Sequence, residues 1–98
     1  MPHKLVRDKI PELIPHASLR VLDDAEYQRA LTAKLQEELN EYRAAETQED
    51  RLYELADILE LLHAIVEHEG LPFNALEARR LAKKEAKGGF TKRFFLQT

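Results

Sequence analysis

The sequence predicts an all-α fold, an antiparallel helical bundle with short irregular or strand-like segments at its two ends. Three observations carry this. Apolar residues recur at helical spacing from Asp23 or Asp24 to about Ala45, and again from Thr47 or Gln48 to about Glu69. A third long helix follows from Phe73 or Asn74 to Ala86. The links between these stretches are short, which makes successive helices antiparallel neighbours.

In chain order, residues 1–22 are irregular, because Pro2, Pro11 and Pro15 limit any helix to a short piece from Asp8 to Ile14, with Asp8 as a candidate N-cap. Leu5 and Val6 offer a short strand. The first long helix opens on acids that complement its dipole and contains no proline. Thr47 to Asp50 is a polar turn with Thr47 or Gln48 able to start the next helix, and Gly70 ends that helix as a C-cap. Leu71-Pro72 links to the last helix, which Gly88-Gly89 stops. The tail from Phe90 to Leu96 is aromatic-rich and reads as a short strand beside Leu5-Val6, with Phe90, Phe94 and Phe95 filling the core or an interface rather than stacking on a base. There is no internal repeat.

Ninety-eight residues make one domain, 1–98, large enough for a core yet small enough that a subunit interface supplies part of it. Three long helices cannot close a four-helix core alone, so a homodimer or higher homo-oligomer is expected. A charge of −3, from 18 acids and 15 bases, gives no footprint for a duplex, and no nucleic-acid partner is expected. The absence of cysteine excludes disulfides, thiolate metal sites and a thiol nucleophile, and fits a reducing, cytoplasmic location. The N-terminus lacks a signal-like apolar region, and Glu60 and His63 interrupt the longest apolar stretch, so neither secretion nor a membrane span is indicated.

The chemistry concentrates between Glu37 and Asp57. On two helices, Glu38 with Glu41 and Glu54 with Asp57 are i, i+3 pairs, neighbours about 5–6 Å apart on one face. Tyr27, Leu31, Leu35, Leu39 and Tyr42 form an apolar arc in which Glu38 falls and at whose edge Glu41 lies. Ile58, Leu61 and Ile65 surround Glu54 in the same way, with Asp57 beside Leu61. Glu-rich helices usually carry only solvated charge. Here both helices interrupt an apolar arc with the same spacing. Buried carboxylates must be paired with cations or bind metal, and an all-oxygen set suits Mg²⁺ or Mn²⁺.

On the last helix, Arg79, Arg80, Lys83 and Lys87 share an arc of about 100°, followed by Lys92 and Arg93. Such cations suit a polyphosphate, although cations near a helix C-terminus also stabilise the dipole by about 0.3–1 kcal/mol each without any ligand. His63 and His68 do not share a face and His3 and His16 lie in irregular sequence, so no histidine metal site is read. Arg7, Asp8 and Lys9 are explained as well by capping and surface pairing as by a role at the site.

The run Glu37-Glu38-x-x-Glu41, a twelve-residue spacer and Glu54-x-x-Asp57 resembles the pattern of the all-α nucleoside triphosphate pyrophosphohydrolase superfamily, which contains MazG-like proteins, dimeric dUTPases and phosphoribosyl-ATP pyrophosphohydrolase. Lys4-Leu5-Val6-Arg7-Asp8-Lys9-Ile10-Pro11 and Lys87-Gly88-Gly89-Phe90 are similar to a small, stand-alone, phosphoribosyl-ATP pyrophosphohydrolase-like branch of the MazG-like proteins. That branch usually carries arginine where this chain has Lys87, which keeps the charge but not a bidentate phosphate contact.

The resemblance implies that Glu38, Glu41, Glu54 and Asp57 ligate Mg²⁺ and that Lys83 and Lys87 contact phosphates. It implies cleavage of the α–β phosphoanhydride of a nucleoside triphosphate to the monophosphate and pyrophosphate, in the manner of an enzyme that cleans nucleotide pools. One or two Mg²⁺ ions would lower the pKa of the attacking water and neutralise the leaving pyrophosphate. Glu37 either orients that water or acts as general base, or is a solvated surface acid. Two other functions stand beside this one: phosphoribosyl-ATP hydrolysis, and a non-catalytic helical interaction or regulatory module.

Overall fold

A computed structural model of the chain describes residues 4–97; Pro2 and His3, named above, lie outside them. The fold is all-α, with four helices in the order α1 (Ile10–Leu13), α2 (Asp24–Ala44), α3 (Gln48–His68) and α4 (Phe73–Lys87), and no strand among the described residues.

The two long helices begin where their side chains can satisfy free backbone N–H groups. Asp23 caps α2 through a reciprocal box: the Glu26 N–H donates to Asp23 Oδ1 at 2.9 Å, and the Asp23 N–H donates to Glu26 Oε1 at 3.3 Å. Arg20 then grips the Glu26 carboxylate with both terminal nitrogens, at 3.1 and 2.7 Å, and this pairing holds the Glu26 pKa down at about 2. Thr47 caps α3 by accepting from the Asp50 N–H at 3.0 Å. At the far end of α3, Gly70 takes φ +83°, and Gly88 takes φ +85° after α4, conformations in which a side chain is strained.

Two sequence expectations differ from the structure. Asp8 is not a cap: α1 starts at Ile10 with Lys9 at the N-cap position and no side-chain cap, because Pro11 in the first turn fixes the start there and leaves Asp8 one residue too early. The tail is not a strand. The Arg93 N–H donates to the Phe90 carbonyl at 3.1 Å in a turn, with Arg93 at φ +59°, and no ladder to Leu5-Val6 forms among the described residues. Phe90, Phe94 and Phe95 are 96%, 88% and 88% exposed, so they fill no core within this chain.

Packing is concentrated between α2 and α3, with α4 touching only the end of α3, where Phe73 stacks on His63 at 3.5 Å between ring centroids. Leu31 on α2 is the one buried apolar residue among the described residues, and Leu52, Leu55 and Leu59 on α3 stay open to solvent. The radius of gyration is 16.7 Å, against about 13 Å for a compact chain of this size. No helix among the described residues is long and apolar enough to cross a membrane.

Candidate metal centre

The α2–α3 hairpin brings the two carboxylate pairs to one level by simple counting. Glu38 stands six residues before Ala44, the last residue of α2, and Glu54 six residues after Gln48, the first of α3. At 1.5 Å per residue each lies about 9 Å from the turn. Two antiparallel helices joined by three residues therefore place these side chains opposite one another.

The acids converge in two overlapping groups. Carboxylate oxygens of Glu38, Glu54 and Asp57 lie within 4.8 Å of one another, and a second set, Glu37, Glu38 and Glu41, meets the same criterion. Glu38 belongs to both sets and is the pivot of the site. It is 5% exposed, while Glu37, Glu54 and Asp57 are half-buried and Glu41 is exposed at the edge of the arc.

Their hydrogen bonding is incomplete. Glu38 Oε2 and Glu54 Oε2 are shut off from solvent with no partner, a state that costs about 1–3 kcal/mol for a neutral group and more for a charged one. Glu54 responds by holding its proton: its pKa is pushed up to about 7, first by hydrogen bonding with Glu38, then by lost hydration and by Glu41. Two carboxyl groups held this close, one of them slow to ionise, are poised to exchange that proton for a cation.

Two cations already touch the cluster. Lys34, one turn before the acids on α2, places Nζ 3.3 Å from Glu37 Oε2 and 3.3 Å from Glu38 Oε1. Burial works against its charge, yet the bonds to Glu37 and Glu38 outweigh this and raise its pKa. Arg7 reaches from the N-terminal segment across fifty positions of sequence and sets Nη2 2.5 Å from Asp57 Oδ1. Five acids against two cations leave an excess of negative charge at neutral pH, even with one proton retained. The donor set, all carboxylate oxygen, fits a hard dication such as Mg²⁺ or Mn²⁺.

Of the residues singled out from the sequence, Glu37, Glu38, Glu41, Glu54 and Asp57 are brought together in two overlapping groups. Lys83 and Lys87 do not join them. Both are exposed on α4 and neither forms an ion pair with the cluster among the described residues. Arg80 on the same helix is occupied by Glu77, at 3.0 Å from Nε. Lys34 escaped the sequence reading although its signal was present, a lysine three and four residues before Glu37 and Glu38 at the edge of the apolar arc. Arg7 had no comparable signal, since nothing local links it to Asp57. His63 and His68 serve as aromatic partners of Phe73 and Tyr27 and take no part in the centre. A shallow cleft lined by Leu31, Ile65 and His68 opens on the hairpin farther from the turn and does not coincide with the acids.

A protein of Mycolicibacterium smegmatis described as uncharacterized is 51% identical to this chain over 53 residues, a match spanning 50% of this chain and 54% of that protein. The chain thus spans about half the length of the curated relative it matches. No family model matches the chain, and no solved structure matches it.

Proposed function

We propose that the protein is a Mg²⁺-dependent nucleoside triphosphate pyrophosphohydrolase, a MazG-like enzyme that cleaves the α–β phosphoanhydride to give the monophosphate and pyrophosphate. The observation that carries this reading is the pair of buried, unpartnered oxygens, Glu38 Oε2 and Glu54 Oε2, on two helices whose carboxylates approach within 4.8 Å. The spacing Glu-Glu-x-x-Glu and Glu-x-x-Asp, which resembles the superfamily's, supports the choice of reaction.

Glu38, Glu41, Glu54 and Asp57 would hold the ion. Bound there, a dication supplies Lewis acidity toward phosphate oxygens and a water acidified toward hydroxide. Glu54 gives up its proton to the solvent on loading, so that its carboxylate is free to act as a ligand. Glu37 sits within 4.8 Å of Glu38 and Glu41 and, with Oε2 tied to Lys34 at 3.3 Å, would orient the attacking water through its other oxygen. Lys83 and Lys87, free of ion pairs with the cluster, offer point charges to the triphosphate.

The active unit is a homodimer or higher homo-oligomer. Leu52, Leu55 and Leu59 make an exposed stripe on α3, and the extended shape leaves the hairpin half-covered. A second copy of the hairpin completes a four-helix core. Light scattering that returns a monomer at micromolar concentration removes this part.

The experiment for the reaction is pyrophosphate release from a panel of nucleoside triphosphates and phosphoribosyl-ATP, with and without Mg²⁺, by the protein and by Glu38→Gln. Release that needs Mg²⁺ and is lost in the variant supports the proposal. Preference for phosphoribosyl-ATP redirects it to that substrate, and no release from any member leaves a helical interaction module.

A further inference from the structure

Lys34 differs from the other lysines of the chain. Most of its side chain is buried, with 19% exposed, and it lies at the edge of the apolar arc of α2, one turn from Leu31, rather than on the solvent face. As a simple surface pair it makes little sense, because a lysine preceding a glutamate is the less favourable order along a helix. A flexible four-carbon stem is ordered and a strongly hydrated ammonium half-stripped of water to reach Glu38, itself 5% exposed. What Lys34 gains is the one position from which a single charge meets both Glu37 and Glu38.

We propose that Lys34 is the resident cation of the acidic centre: it neutralises Glu38 when no divalent ion is bound, and an incoming ion displaces it from Glu38, leaving it on Glu37. This rests on the metal-binding reading of Glu38 and Glu54. A monovalent ammonium and a dication cannot both lie against the Glu38 carboxylate without strong repulsion. Glu37 is already within reach at 3.3 Å, so Lys34 moves between partners without crossing solvent. Glu37 is thereby a positioning residue that stabilises the displaced lysine. Arg7 does not share this role, because its side chain is 63% exposed and water receives its charge readily when it leaves Asp57.

Lys34 and the metal therefore compete, and removing the lysine has opposite effects on the two states. Lys34→Met keeps the apolar stem and removes the charge. In metal-free buffer it lowers the melting temperature, whereas Mn²⁺ binding, read by calorimetry or by the loss of the free-ion electron spin resonance signal, tightens roughly tenfold. The melting gain from saturating Mn²⁺ is correspondingly larger than in the unaltered protein. Lys34→Arg retains the charge and keeps Mn²⁺ affinity near the starting value. Glu37→Gln weakens Mn²⁺ binding in the unaltered protein and has no effect once Lys34 is methionine; an effect that persists makes Glu37 a ligand and overturns the displacement route.

Mn²⁺ affinity that is unchanged or weaker in Lys34→Met overturns the proposal. If that variant does not fold without metal, Mn²⁺ is expected to fold it, and failure to fold at any Mn²⁺ concentration counts against the competition. Glu54→Gln, which has no contact with Lys34, reports on the metal reading by itself. Mn²⁺ affinity undiminished in that variant removes the centre rather than the lysine's part in it.

Discussion

The α2–α3 hairpin and the region from α4 to the tail carry charge at similar density and put it to opposite uses. In the hairpin, acids interrupt apolar arcs and meet around Glu38, 5% exposed, with two carboxylate oxygens lacking partners. On α4 the cations face water, and the aromatic side chains of the tail do so too, Phe90 at 96% exposure. Charge in the hairpin is thus held against its hydration, while charge on α4 is not. Energy spent on an unfavourable arrangement points to a function for it, whereas the solvated region gives no such indication.

The strongest way to break this contrast is to neutralise the pivot. Glu38→Gln is expected to lower Mg²⁺-dependent pyrophosphate release by roughly 10³-fold, since a catalytic dication supplies several kcal/mol of transition-state stabilisation. Glu54→Gln should do the same while raising the metal-free melting temperature by a few degrees above pH 7, where an amide still donates to Glu38 and an ionised carboxylate cannot. Activity falling as stability rises is the signature of residues kept for function. A fall in both would mean that the acids hold the hairpin together.

A titration sharpens the same contrast. The Glu54 pKa in the folded chain, about 7, is above its ordinary 4.5. The folded chain therefore keeps a proton between those values that the unfolded chain has lost. The stability tied to this group is complete below pH 4.5 and is lost as the pH rises through 7. Metal-free melting temperature should fall across that window, Mn²⁺ affinity should rise across it, and Glu54→Gln should flatten both curves. Substitutions on α4 should leave both slopes as they are.

Legibility in the sequence followed the same divide. The limits of α2 and α3 could be read because Asp23, Thr47 and Gly70 act locally, through hydrogen bonds or φ angles set within a few residues. The acids could be read because helical periodicity alone places Glu38 in the arc with Leu31. The tail was misread because aromatic residues favour a strand only where a partner strand exists, and a turn from Phe90 to Arg93 forms instead. Arg7 at Asp57 is a contact between distant parts of the chain, set by how the N-terminal segment crosses α3. Periodicity carries no information on that.

On α4 the expected effects are smaller and of another kind. Lys83→Ala should raise KM for a nucleoside triphosphate roughly tenfold, the low end for a hydrogen bond to a charged group, and leave Mn²⁺ affinity alone. Lys87→Ala should act likewise and also slightly weaken the end of α4, where its charge complements the helix dipole. An unchanged KM in both would reduce the basic arc to helix-end solvation.

The finest test sets one contact from each region side by side. The Thr47 hydroxyl accepts from the Asp50 N–H at 3.0 Å and fixes where α3 begins, and hence which residues of α3 stand level with Glu38. Thr47→Ala should cost about 1 kcal/mol, which in a chain of this size lowers the melting temperature by about 4–8 °C. The Glu77–Arg80 pair on α4 looks better on paper, with Arg80 Nε at 3.0 and 3.1 Å from the two carboxylate oxygens. Both partners are well exposed, at 40% and 55% of their side chains, and water competes for each of those bonds. Glu77→Gln should therefore leave the melting temperature unchanged within error, because a neutral cap that determines register outweighs an ion pair that determines nothing.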